Sequence, residues 1–141
     1  MLLFIQLFYL HLSYRNQLKT QETMNTIQNI LRTTEFESSS TKTQQFKDFV
    51  SKFRSAFKKE MKSVGVTDVT FNVGHFEVSG FFSYQGQTYY FSLSDVRGMN
   101  YVQGSIAMLY RTAEHTKDYR GGSNQWVTIG NGMAKTMLSI R

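Results

Sequence analysis

Phe46, Phe49, Val50, Phe53, Phe57, Met61 and Val64 recur at spacings of three and four, which places them on one buried face of a helix. Thr41-Lys42-Thr43-Gln44 has the form of a capping box, with Thr41 as the cap and Gln44 reaching back. Gly65 follows as the left-handed residue that ends a helix. After it the period changes to two. Val69, Phe71 and Val73 alternate within Asp68 to Val73, and Phe76, Val78, Gly80, Phe82 and Tyr84 form a second alternating run. Gly74-His75 and Gln85-Gly86 separate these runs, and the third run, Thr88 to Leu93, sets Tyr89, Phe91 and Leu93 against Thr88, Tyr90 and Ser92. These patterns predict a three-stranded antiparallel meander with the Phe-rich helix on one face.

Ile106 to Ala113 reads as either a fourth strand or a short helix, with the strand favoured because Gly104-Ser105 opens it; Trp126 to Ile129 reads as a short fifth strand and Ala134 to Ile140 as a closing helical turn after Gly130-Asn131-Gly132. The predicted class is α+β: an amphipathic helix packed on an antiparallel sheet of four to five strands, with a short C-terminal helix. The order of helix, strands and later helix resembles a double-stranded-RNA-binding domain, which also carries Gly and His between its first two strands. Such a domain opens its last helix with a lysine cluster soon after the third strand. Here Ser94 to Met133 intervene and Lys135 stands alone, so that family is not assigned.

The first residues have a different character. Leu2 to Leu12 is apolar but interrupted by Gln6 and His11, and it falls short of the roughly 20 residues that cross a bilayer. It has neither a basic lead nor a small-residue cleavage site, so it does not read as a secretory signal. Residues 1–23 form an apolar extension that an interfacial anchor or translated upstream sequence would explain, the latter with Met24 as the working start. Residues 24–40 read as a lead-in, in which Ile27, Ile30 and Leu31 suit a helical turn or two before a polar linker at Glu35 to Ser40. Residues 41–141 are expected to be a single domain.

Composition supports a packed core. Among 141 residues there are 12 Phe, 8 Tyr and 1 Trp, a large apolar payload. There is no cysteine, which removes disulfides, thiolate metal sites and cysteine nucleophiles and suits a reducing, cytoplasmic setting. The net charge of +6 is concentrated. Between Gln44 and Val64, Lys47, Lys52, Arg54, Lys58, Lys59 and Lys62 face only Asp48 and Glu60, while the chain from Gly65 onward is almost balanced. At 100° per residue, Lys47, Ser51, Arg54, Lys58 and Lys62 fall within an arc of about 80° that extends about 22 Å along the helix and holds no acid. Lys52 and Lys59 make a second, shorter row. An acid-free cationic stripe suits a phosphate backbone or an acidic protein face.

Arg111 to Asn124 is the least core-like stretch, mixing both charges with an imidazole, a phenol and Gly121-Gly122. Arg111, Lys117, Arg120 and Asn124 are candidate contacts there, because glycine-rich backbone lets amides approach an anion. Asp95 and Arg97 read as an ion pair at the end of the third strand. His75 and His115 are an alternative acid–base pair for a phosphodiesterase or nuclease. No metal-ligand spacing and no Walker or Rossmann glycine pattern occurs, so neither a metal nor another cofactor is expected. The sequence thus favours a small cytoplasmic binding protein that meets nucleic acid or a nucleoprotein through its basic helix, in the manner of a phage or plasmid accessory protein inhibiting a host defence nuclease. A structural homo-oligomer subunit is the third reading.

Overall fold

The computed structural model describes residues 2–24, 26–97, 106–130 and 132–139. Helix α1 (Leu2–Met24) and helix α2 (Thr26–Thr33) precede the basic helix α3 (Gln44–Lys62). Strands β1 (Thr70–Val73), β2 (Val78–Tyr84), β3 (Gln87–Leu93), β4 (Ala107–Ala113) and β5 (Gln125–Thr128) follow, and α4 (Met133–Met137) closes the order. All five strands pair antiparallel in chain order, so the predicted meander continues through β4 and β5 and leaves β1 and β5 at the edges. Gly104, Ser105, Asn131 and Ile140, expected at element boundaries, lie outside the described residues.

The predicted cap shifts by two residues. Thr43, not Thr41, caps α3: its Oγ1 accepts from the Phe46 amide at 3.2 Å, while Gln44 donates its side-chain amide to Asp48 Oδ1 at 2.9 Å. Thr43 wins because a cap serves the amide three residues on, and only from position 43 is that amide within the first turn. At the other end Gly65 N–H reaches Lys62 O at 3.0 Å and Val66 N–H reaches Met61 O at 3.1 Å, which satisfies carbonyls the helix leaves open.

The core lies between α3 and one face of the sheet. Phe53, Phe57 and Met61 are fully buried, and the Phe57 ring stacks on Phe91 with centroids 4.4 Å apart. Gly80 sits between Phe71 and Phe91 in the register, and a Cβ there would lie 2.8 Å from the Phe91 ring and collide with the Thr70 carbonyl. Its lack of a side chain therefore lets the helix and the two rings close over the sheet. The second strand starts later than its alternation predicts, at Val78. Phe76 belongs to the β1–β2 turn at φ 57°, buried among Phe36 and Phe46, with the Arg97 guanidinium 4.1 Å above its ring.

Packing begins before Thr41. Ile27 and Leu31 of α2 are buried in the same core, and Gln28 Nε2 donates to Ile129 O at 2.6 Å. Glu60 ties α3 to the C-terminal turn, its Oε1 accepting from Gly132 N–H at 3.0 Å and Ala134 N–H at 3.3 Å. Along α1 the apolar side chains from Leu2 to Leu10, Phe4 and Phe8 among them, are exposed, and no described helix is long and apolar enough to cross a membrane.

Candidate anion-binding groove

Helix α3 turns its Phe stripe to the sheet, and the same rotation carries Lys47, Ser51, Arg54 and Lys58 to the side of the open edge strand β1. Between them lies a groove of about 670 Å³, lined on the helix side by these four with Ser55, and on the strand side by Val73, Gly74 and His75. Its lining contains four cationic or imidazole side chains and no carboxylate. Lys47 and Lys58 are exposed, and Lys62, one turn past Lys58, continues the row in solvent. Lys52 and Lys59 are exposed outside the groove.

Arg54 is the most constrained of the row. Its guanidinium carbon lies 5.4 Å from the Phe71 ring centre and Lys58 Nζ lies 5.8 Å from the same centre, so one aromatic face steadies two cations. The Arg54 Nε is buried without a hydrogen-bond partner among the described residues. An unsatisfied buried donor on a charged group is costly, and an anion drawn into the groove would lower that cost by stabilising the guanidinium.

The β4–β5 loop, 114–124, takes a shape that the sequence did not suggest. It folds back over the face of the sheet opposite α3. Tyr119 sets its ring edge-on to Phe81 at 5.3 Å and to Tyr90 at 5.9 Å, and its hydroxyl accepts from Asn72 Nδ2 at 2.9 Å. Asp118 organises the turn: the amides of Glu114, Gly121 and Arg120 donate to its carboxylate at 2.9, 2.8 and 3.2 Å. Gly122 adopts φ 74°, and a Cβ on it would stand 2.5 Å from the Thr112 carbonyl.

Arg111, expected as a partner contact, is instead buried with 4% exposure. Its Nη2 donates to Asp118 O at 2.7 Å, its Nη1 donates to Thr112 O at 3.2 Å, and its guanidinium lies 4.6 Å over the Tyr90 ring. Residue 111 pairs with Tyr90 on the outer face, and the returning loop covers it there. It supports the loop. Lys117, Arg120 and Asn124 are exposed on that loop.

The Glu114, Gly121 and Arg120 amides, with the Arg111 charge 4.0 Å away, hold the Asp118 carboxyl below its ordinary pKa of 3.8. A lowered folded-state value means that the loop's anchoring is complete above the ordinary aspartate range and is lost as pH falls through the lowered value. In an NMR pH titration the Asp118 carboxyl carbon should therefore move with an apparent pKa below 3.8, and the Glu114 and Gly121 amides should move with it. Asp118→Asn should abolish that coupled movement.

The two histidines do not meet. His75 stands at the β1–β2 turn and His115 at the start of the β4–β5 loop, which the antiparallel order puts at opposite ends of the sheet. A seven-residue strand separates those ends by about 20 Å, too far for one acid–base pair. His75 packs edge-on against Phe76 at 4.9 Å, and His115 Nδ1 accepts from the Lys117 amide at 3.1 Å. The expected Asp95–Arg97 pair forms, with both guanidinium–carboxylate contacts at 3.1 Å. Among the described residues no three His, Asp or Glu side chains gather where they could hold a metal ion.

No protein-family model, curated protein or solved structure matches the chain.

Proposed function

We propose that the protein binds nucleic acid, free or within a nucleoprotein, by seating the phosphate backbone in the groove between α3 and β1. The observation that carries this reading is the cationic row Lys47, Arg54 and Lys58 turned toward one groove with no carboxylate in its lining. Lys62 extends the row along the helix, and steps of four residues separate Arg54, Lys58 and Lys62 by about 6 Å each. Evenly spaced cations of this kind neutralise successive charges of a strand and release its condensed counterions. Lys117, Arg120 and Asn124 supply a second set of contacts from the β4–β5 loop. A copy bound in this way shields its strand, which is how a small accessory protein of a phage or plasmid would oppose a host nuclease.

Fluorescence anisotropy with a labelled oligonucleotide tests the reading. The logarithm of affinity should fall linearly with the logarithm of salt concentration, with a slope of about −3 for four phosphate contacts on a single strand at about 0.7 each. Affinity that ignores salt, or no binding at low salt, would remove the proposal.

A further inference from the structure

We infer that the outer face of the sheet is a stacking surface for the bases of a single-stranded nucleic acid, with Tyr119 and Trp126 as its rings. The inference rests on the nucleic-acid reading of the groove and specifies which form of nucleic acid is held. Trp126 is 65% exposed and Tyr119 56% exposed, although both belong to ordered parts of the sheet and its returning loop. Rings of this size held on a formed surface present flat apolar faces on which a base can stack.

What lies between them indicates the occupant. Asn72, Ser79, Ser92, Leu109 and Trp126 are successive register partners, so one row crosses all five strands from the residue that holds Tyr119 to the indole. At about 4.8 Å per strand that row is about 19 Å long, room for several unstacked bases. Ser79 is buried within that row, so its accessible floor is the Asn72 amide and the half-buried Ser92 hydroxyl, with the half-buried Leu109 next to the indole. The Asn72 carbonyl oxygen and the Ser92 hydroxyl can hydrogen-bond base edges between the two rings. Glu77 borders the row, and its Oε1 accepts from Ser92 Oγ at 3.5 Å.

Tyr119 is already positioned for this role. Asn72 fixes its hydroxyl, Phe81 and Tyr90 hold its edges, and Asp118 and Arg111 lock the loop beneath it. Charge agrees with this placement: Lys117 and Arg120 are exposed on either side of Tyr119, while the intervening Asp118 is turned into the loop's own amides. The two surfaces are also continuous. Val73 lines the groove and its neighbour Asn72 holds Tyr119, so a strand leaving the cationic row over the β1 edge arrives at the first ring. Bases locked in a duplex are stacked on one another and cannot reach either ring, which selects a single strand.

Trp126 is the chain's only tryptophan, so its emission reports this face alone. The full chain is titrated with a labelled deoxythymidine oligomer and with a hairpin duplex, following anisotropy and tryptophan emission together. The single strand should bind at least tenfold more tightly than the duplex and quench the emission to saturation. Tyr119→Ala and Trp126→Ala should each weaken single-strand binding roughly five- to a hundredfold, by the usual worth of one base–aromatic stack, and leave duplex binding unchanged. Tyr119→Phe, which keeps the ring and loses the Asn72 bond, should retain most of the affinity, separating stacking from loop damage. Equal affinity for both forms, with emission unmoved and both alanine variants binding normally, would overturn this inference while the groove reading stands. Absence of binding to either form would overturn both.

Discussion

Changing Lys47, Arg54, Lys58 and Lys62 together to Gln is expected to weaken nucleic-acid binding roughly a thousandfold at about 0.1 M salt and to flatten its salt dependence. The magnitude follows from counterion release. Each lost phosphate contact removes about 0.7 to 0.9 from the slope, which near 0.1 M salt is a factor of about five to eight in affinity per contact. Lys52→Gln with Lys59→Gln, exposed outside the groove, is the matched control and should change affinity only slightly. Equal losses in the two sets would mean that net charge, and not the groove, governs binding. The folded state should survive the first set: Lys47, Lys58 and Lys62 are exposed, and Arg54 contributes packing on Phe71 that Gln partly keeps.

The second large effect concerns the frame that holds this row in place. Phe57→Ala should cost about 3 to 5 kcal/mol, read as a shift of the denaturation midpoint. Phe57 is fully buried and touches rings on both layers: Phe53 on its own helix, Phe71 on β1 and Phe91 on β3. Truncation leaves a cavity at the junction, because Gly80 beneath the rings has no side chain to fill it. For a domain whose total stability is about 5 to 15 kcal/mol, such a loss threatens folding itself. A midpoint that barely moves would show that α3 does not rest on the sheet through this contact.

The helix and the first three strands were legible because their spacing is governed by a single buried face. Seven apolar residues at three and four define α3, and the alternation on Phe71, Val78, Gly80, Phe82, Tyr89, Phe91 and Leu93 defines the inward side of the meander. The same assumption hid the rest. Assigning one face to the core left Phe81, Tyr90 and Arg111 to solvent, yet β2 is buried on both faces through Val78 to Phe82. Consecutive Phe81-Phe82 was the available signal, since a strand covered on both sides reads as continuous rather than alternating. Nothing local announces that the distant β4–β5 loop returns to provide the cover. The core role of Ile27 and Leu31 was likewise understated, because a helix as short as α2 gains its stability from packing and not from pattern.

Of the proposed site, the cationic arc on α3 could be read directly, for it needs only the helical repeat. Its facing wall could not. That Val73, Gly74 and His75 lie opposite Arg54 depends on how the helix crosses the sheet, a tertiary matter set by Phe57, Phe71 and Phe91. The histidine pair failed for a related reason: sequence distance does not say which end of a sheet a turn occupies, and strand order does.

Strand β1 has one further property. It is an open edge whose backbone donors and acceptors could recruit the same edge of another copy, the first step toward aggregation. Four residues make it a short template, and the neighbouring cations mean that two such edges approach with like charges facing. The row therefore favours colloidal stability whatever it binds, a contribution that weakens when salt screens it or a polyanion neutralises it.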